Sequence, residues 1–134
     1  MPLQNPQLNQ LLKGIAADSS SGSGKRLILG EGMLPMREAL GNGGKYLLLH
    51  PEAINKLSQN NIDPFLIYEA GMRMEMEAKI PRIEFVGVNV DDLLQEWRGK
   101  SQDLAPIHIR QLLWLNNNAA SFGYQRSGNS WMLK

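Results

Sequence analysis

Prolines divide the chain from residue 51 onward into separate elements, because a proline can begin a helix but cannot continue one. A proline directly follows the apolar run Lys-Tyr-Leu-Leu-Leu-His, which predicts a strand over residues 45–50 and a helix over residues 51–59. Asp63 precedes Pro64, and this capping oxygen before a helix-starting proline predicts a helix over residues 64–79.

Hydrophobic spacing predicts the remaining elements. They are a helix over residues 6–17, a strand over 26–29, a turn-rich stretch over 30–44, a strand over 82–90, a short helix capped by Asp91 and ending at Gly99, a helix over 106–117, and a hairpin of residues 120–125 with 130–133. This mixture of helices and strands predicts an α+β fold.

The stretch Gly-Ser-Gly-Lys, which ends at Lys25, raises the question of a phosphate-binding loop. The P-loop pattern needs a glycine at position 19 and a serine or threonine at position 26, where this chain has Ser19 and Arg26. The stretch also follows a helix and precedes a strand, whereas a P-loop follows a strand and opens a helix. We therefore predict a flexible linker over residues 18–25 and no nucleotide site.

Composition narrows the function classes. The 134 residues, 43% of them hydrophobic, predict one domain over residues 1–134. The absence of cysteine excludes disulfides and thiolate metal sites, and no apolar run approaches the roughly 20 residues of a membrane span. The first residues do not have the pattern of a signal peptide, so we expect a cytoplasmic protein with no membrane partner. His50 and His108 fit no ligand spacing, and we predict no metal and no cofactor.

Charge is distributed unevenly along a chain whose net charge is +1. Residues 69–96 contain seven acidic and three basic side chains, whereas residues 98–134 contain five basic side chains and one acidic. Two interpretations stay open at this point. The segments form two solvated faces, or the basic segment forms a surface that meets an anion such as a nucleic-acid backbone.

The C-terminal helix and hairpin are the most informative segment. The helix over residues 106–117 turns Ile109, Leu112 and Leu113 inward and leaves polar side chains on its other side. A helix followed by a two-stranded hairpin is the arrangement of a winged-helix DNA-binding unit. The candidate nucleic-acid-binding residues are Arg110, Gln111, Trp114, Arg126 and Lys134. The ordinary alternative is a surface helix with polar residues outside and Trp114 in the core. His108 lies near the start of this helix, and we predict that it faces solvent or DNA.

Four short stretches of the chain resemble the C-terminal domain of TraI-type conjugative relaxases. The stretches are Leu-Asn-Gln-Leu-Leu-Lys at residues 8–13, Lys-Arg-Leu-Ile-Leu at 25–29, Tyr-Leu-Leu-Leu-His-Pro-Glu-Ala-Ile at 46–54 and Asn-Ser-Trp at 129–131. Residues 65–99 exceed the length of the family pattern, which implies an insertion. The resemblance therefore implies a winged-helix-like core with an inserted helix–strand–helix segment, which takes part in DNA transfer without the nicking chemistry.

These observations predict a non-catalytic DNA-binding or accessory domain in DNA processing or conjugative transfer. Its expected partner is DNA or a DNA-processing protein complex. The alternative is a protein–protein adaptor or chaperone subunit of a secretion or phage apparatus, with the helix over residues 64–79 at its interface. A third interpretation is a small enzyme that uses His50 or His108.

Overall fold

Residues 5–134, which the computed structural model describes, form six α-helices and six β-strands. The helices are α1 (Asn5–Ser19), α2 (Leu34–Asn42), α3 (Pro51–Gln59), α4 (Phe65–Glu77), α5 (Val90–Glu96) and α6 (Ile107–Asn118). The strands are β1 (Ser20–Ser23), β2 (Arg26–Gly30), β3 (Gly44–Leu47), β4 (Arg82–Val86), β5 (Tyr124–Ser127) and β6 (Ser130–Leu133). This combination of helices with one mixed sheet confirms the predicted α+β class.

The strands form one sheet with the order β1-β3-β2-β4-β6-β5. Strand β2 lies between β3 and β4 and runs parallel to both. Hairpin β5–β6 extends the sheet beyond β4 in antiparallel pairing, and β1 pairs antiparallel with β3 at the opposite edge. The carboxyl ends of the three parallel strands therefore lie along the same edge of the sheet.

The path of the chain changes direction beside β2. From β2 the chain passes through α2 to β3, and it then crosses back over β2 through α3 and α4 to reach β4. In open α/β sheets such a change of direction leaves a crevice outside the carboxyl ends of the strands, and ligands bind there. The topology alone therefore directs attention to the end of β2.

The two faces of the sheet are covered by different helices. Leu27 and Leu29 belong to the main core cluster with side chains of α4 and α6. Because side chains alternate along a strand, Arg26 lies on the opposite face. There Arg26 contacts Glu38 of α2 at 3.3 Å and also binds Glu84 of β4. Helix α2 thus covers one face, and α4 and α6 cover the other.

Two clusters of buried side chains hold the fold together. The main cluster lies between the sheet and helices α4 and α6; its largest fully buried members are Leu27, Met72, Met76, Ile83, Phe85, Val90, Leu112, Leu115 and Trp131. A smaller cluster joins α1, α3 and α4 through Ile15, Ala16, Leu57 and Ile67. Tyr124 donates a hydrogen bond from its hydroxyl to the carbonyl oxygen of Ile80, which attaches β5 to the main cluster.

The segment expected as an insertion instead forms the centre of the fold. Strand β4 pairs with β2 on one side and with β6 on the other, and α4 contributes Met72 and Met76 to the main cluster. Removing residues 65–99 would divide the sheet and expose its core. The predicted hairpin is present as β5–β6, but its first strand is Tyr124–Ser127 instead of residues 120–125, because Ala119–Phe122 forms a short 3₁₀-helix. The six-stranded order does not confirm a winged-helix-like core.

The linker predicted over residues 18–25 has regular structure. Helix α1 continues to Ser19, and β1 follows at once and pairs with β3 from Ser20 opposite Leu47 to Ser23 opposite Gly44. Gly22 has a φ of 84°, and a Cβ there would lie 2.2 Å from the carbonyl oxygen of Gly44. Glycine is therefore needed here, because the two strands approach too closely for a side chain. The linker prediction is wrong because composition does not show backbone pairing.

Two helix starts also differ from the sequence prediction. Helix α2 occupies most of the stretch expected to be turns, and Pro35 lies in its first turn. Helix α5 is capped by Asn89, whose side-chain oxygen accepts a hydrogen bond from the Asp92 amide at 3.0 Å. Asp91, the predicted cap, instead lies within the first turn of that helix.

Candidate ligand-binding site

A cavity of about 170 Å³ opens at the carboxyl ends of β2 and β3. Its walls include Gly30 at the end of β2, Leu47 at the end of β3 and Tyr68 of α4. A Cβ at Gly30 would lie 2.8 Å from the carbonyl oxygen of Val86, so the end of β2 approaches β4 too closely for a side chain. The cavity therefore occupies the crevice that the sheet topology predicts.

The amino-terminal ends of two helices border this cavity. Gly32 and Pro35 line it from the loop before α2 and from the first turn of α2, and His108 lines it from the first turn of α6. Neither helix has a side-chain cap at its amino terminus. Uncapped amides and the helix dipole make such ends favourable for negative charge. At α2 the Leu34 amide donates to the Glu31 carbonyl oxygen at 3.2 Å and Pro35 has no amide hydrogen, so the start of α6 is the more favourable position for an anionic group.

Gln111 is the most unusual residue of the cavity. Its side chain is only 4% exposed, yet no hydrogen bond of the described residues engages its amide. No fully buried side-chain nitrogen or oxygen among residues 5–134 is without a partner, so the Gln111 amide retains access to the cavity. An amide in this position can donate to or accept from a molecule that enters.

Tyr68 supplies a second polar group to the same cavity. It is half-buried, and burial raises the pKa of its hydroxyl above the ordinary value. The phenol therefore stays protonated at neutral pH and keeps its hydrogen-bond donor.

His108 and Glu31 meet at the edge of the cavity. His108 Nε2 lies 3.8 Å from Glu31 Oε2. Glu31 is exposed in the loop between β2 and α2, whereas His108 is half-buried and lines the cavity. The pair brings the loop before α2 next to the start of α6. His108 is thus a cavity residue, in contrast to the solvent-facing or DNA-facing position predicted from the sequence. His50 lies apart from these residues, exposed directly before α3.

The predicted DNA-contacting surface of α6 is not exposed. Gln111 lines the cavity, and Trp114 is buried in the main cluster, where the Arg73 guanidinium lies 5.2 Å from its ring centre. Arg110 binds Asp63 at 2.7 Å and stacks on the Phe65 ring at 4.4 Å. The prediction of an exposed polar face is wrong because helices and loops cover this side of α6 as well as the inner side.

The remaining two predicted residues lie on or near the hairpin. Arg126 binds Asp91 of α5 at 2.9 Å and also donates to the carbonyl oxygen of Gly128. Lys134 is exposed beyond the end of β6. Arg110 and Arg126 are each paired with an aspartate of a different segment, so the basic excess of the C-terminal sequence is partly compensated in space.

The cavity was missed at the sequence level for two reasons. Gln111 was assigned to an exposed helix face, and α2 was not predicted, although Pro35 shortly after a strand is a helix-start signal. Gly-Glu-Gly at residues 30–32, directly after an apolar strand, was a further signal that the backbone turns tightly there.

Comparison with protein-family models, with curated proteins and with solved structures found no match. The relaxase resemblance therefore stays a prediction. No helix within residues 5–134 is long and apolar enough to cross a membrane. Across the same residues, no three histidine, aspartate or glutamate side chains are grouped so that they could hold a metal ion.

Proposed function

We propose that this domain binds a small anionic molecule, or the anionic end of a larger one, in the cavity at the carboxyl ends of β2 and β3. The observation that carries the proposal is Gln111, a residue that is 4% exposed, whose amide has no hydrogen-bond partner among residues 5–134 and borders the cavity. Because no fully buried side-chain nitrogen or oxygen of these residues lacks a partner, the amide is open to the cavity. A ligand there can replace water as its hydrogen-bond partner.

The polar groups around the cavity favour an anion. The Gln111 amide and the Tyr68 hydroxyl can donate hydrogen bonds, and His108 can donate from an imidazole N–H. The start of α6 adds backbone amides that no side chain caps. The neighbouring carboxylate, Glu31, is exposed and partnered with His108, so it does not occupy the cavity.

The size of the cavity limits the ligand. Pockets for drug-sized molecules measure roughly 300–1,000 Å³, whereas this cavity measures about 170 Å³. A carboxylate or phosphate group with a few neighbouring atoms fits this volume.

NMR titration tests the proposal. Amide spectra are followed while sodium acetate or sodium phosphate is added, with sodium chloride at equal ionic strength as the control. We expect saturable shifts centred on Gly30, Gly32 and His108 with at least one of the two anions. Gln111→Met should weaken binding about tenfold or more, because a hydrogen bond to a charged group is lost. Gln125→Met, at an exposed position on β5, is the matched control.

Two results would contradict this function. One is the absence of saturable shifts with either anion, and the other is unchanged affinity in the Gln111→Met variant.

DNA binding and the adaptor function also remain proposals. The presence of the β5–β6 hairpin directly after α6 and its short 3₁₀-helix is the observation that favours DNA binding. Fluorescence anisotropy with single-stranded and double-stranded DNA at two salt concentrations tests it. Arg126→Ala should weaken binding and reduce the salt dependence. Unchanged affinity and salt dependence would reject the hairpin as a contact, and indifference to DNA with a concentration-dependent mass would favour the adaptor.

A further inference from the structure

Exposed apolar side chains lie on both segments that border the cavity. Met33 is 44% exposed and Leu34 is 39% exposed, and both directly follow Gly32, which lines the cavity. Ile107, which is 38% exposed, lines the cavity from the start of α6. We name Met33, Leu34 and Ile107 the apolar rim.

The loop that leads to Met33 and the start of α6 meet at the edge of the cavity. His108 Nε2 lies 3.8 Å from Glu31 Oε2, which brings these two segments together. Ile107 is both a cavity residue and an exposed residue, so its apolar surface continues from the inside of the cavity to the outside. A molecule that is longer than the cavity and leaves it beside Ile107 would therefore meet apolar surface there.

We propose that the ligand is an amphipathic acid, whose anionic end occupies the cavity and whose hydrocarbon portion lies on the apolar rim. This inference rests on the anion-binding function proposed above. The placement of polar and apolar groups supports it, since hydrogen-bond donors line the cavity and the exposed apolar side chain of Ile107 lies at its edge. A purely polar ligand would leave the apolar rim in water, and a purely apolar one would leave the Gln111 amide without a partner.

A series of straight-chain carboxylates of increasing length tests the inference. Acetate, butanoate, hexanoate and octanoate are titrated by NMR and calorimetry below their micelle concentrations. Full burial of a methylene strengthens binding about fourfold, and a surface rim covers only one side of the chain, so we expect about twofold for each added methylene. The increase should cease once the chain extends beyond the rim.

Two variants locate the hydrocarbon portion. Met33→Gln should reduce the gain with chain length and lower octanoate affinity several-fold, while acetate affinity stays unchanged, because glutamine removes the apolar surface without being one of the strong helix-capping residues. Leu40→Gln is the matched control, since Leu40 is 76% exposed near the carboxyl-terminal end of α2, the helix that Met33 precedes. The control should keep the full dependence on chain length.

The outcomes separate this inference from the function on which it rests. If acetate binds but octanoate binds no better, the apolar rim has no role and the anion site stands. If the gain with chain length is the same in Met33→Gln as in the unmodified protein, the hydrocarbon portion lies elsewhere and the inference is wrong. If neither phosphate nor any acid of the series binds, both proposals are wrong.

Discussion

Replacing Gln111 with methionine separates a binding role from a structural role. The two side chains have similar length and volume and similar helix propensity, so the change removes the amide and little else. If the amide had a protein partner, its removal would destabilise the fold. Because no partner within residues 5–134 engages it, its removal should stabilise the protein in the absence of ligand.

The size of this effect follows from the position of the amide. A buried polar group without a partner costs about 1–3 kcal/mol. The Gln111 amide borders a cavity of about 170 Å³ and keeps some access to water, so we expect the lower end, a gain of about 1 kcal/mol. For a chain of 134 residues, that gain raises Tm by about 3–4 °C.

Thermal and urea unfolding followed by circular dichroism measure the change, with Gln125→Met as the exposed control that should stay within about 0.5 kcal/mol of the unmodified protein. The same variant must also lose anion affinity in the NMR titration. A decrease in Tm of about 3–4 °C or more would show that the amide holds the fold together, and the argument for a ligand at Gln111 would then be wrong.

Two further predictions concern the fold. Burial acts to raise the pKa of Asp63, but the hydrogen bond from the Phe65 amide and then the Arg110 guanidinium outweigh burial, and the net pKa lies below the ordinary value. Asp63 therefore stabilises the fold fully above pH of about 4, and this contribution declines as the pH falls through the lowered pKa. Asp63→Ala should cost about 1 kcal/mol at pH 7, and urea unfolding from pH 7 to pH 2.5 should show a smaller difference below pH of about 4; a difference independent of pH would contradict the assigned contacts. Gly22→Ala should destabilise the protein by more than about 1 kcal/mol in urea unfolding, because its Cβ would meet the Gly44 carbonyl oxygen. A neutral Gly22→Ala variant, with Gly14→Ala in α1 as the unobstructed control, would argue against the β1–β3 pairing.

Elements that begin at a proline or a capping residue were predicted well from the sequence. The helix over residues 51–59 has the predicted bounds, and α4 begins next to the predicted Asp63 cap, whose oxygen accepts from the Phe65 amide at 3.0 Å. Proline geometry and capping act within a few residues, so neighbouring sequence contains the whole cause. The strand beginning at Arg26 was also confirmed, and the hairpin before Leu133 is present with its first strand shifted toward the turn, because an apolar run and a Gly-Asn turn are local signals as well.

Elements that depend on distant partners were not predicted. Strand β1 consists of serine and glycine, residues without strand preference, and it exists because β3 provides its hydrogen bonds. Residues 65–99 were interpreted as an insertion because length in sequence does not show position in a sheet, yet β4 lies between β2 and β6.

The candidate site shows the same division. Helical spacing correctly predicted that Ile109 and Leu112 face the core, because which residues share a face is a property of the helix itself. That spacing could not show that the other side of α6 is also covered, or that the Gln111 amide meets the ends of β2 and β3. By itself the sequence determined the helix starts at Pro51 and next to Asp63, the presence of a hairpin and the α+β class, because these follow from contacts between near neighbours. Only the tertiary structure decided which polar groups share a cavity, because strands far apart in the chain meet there through the order of the sheet.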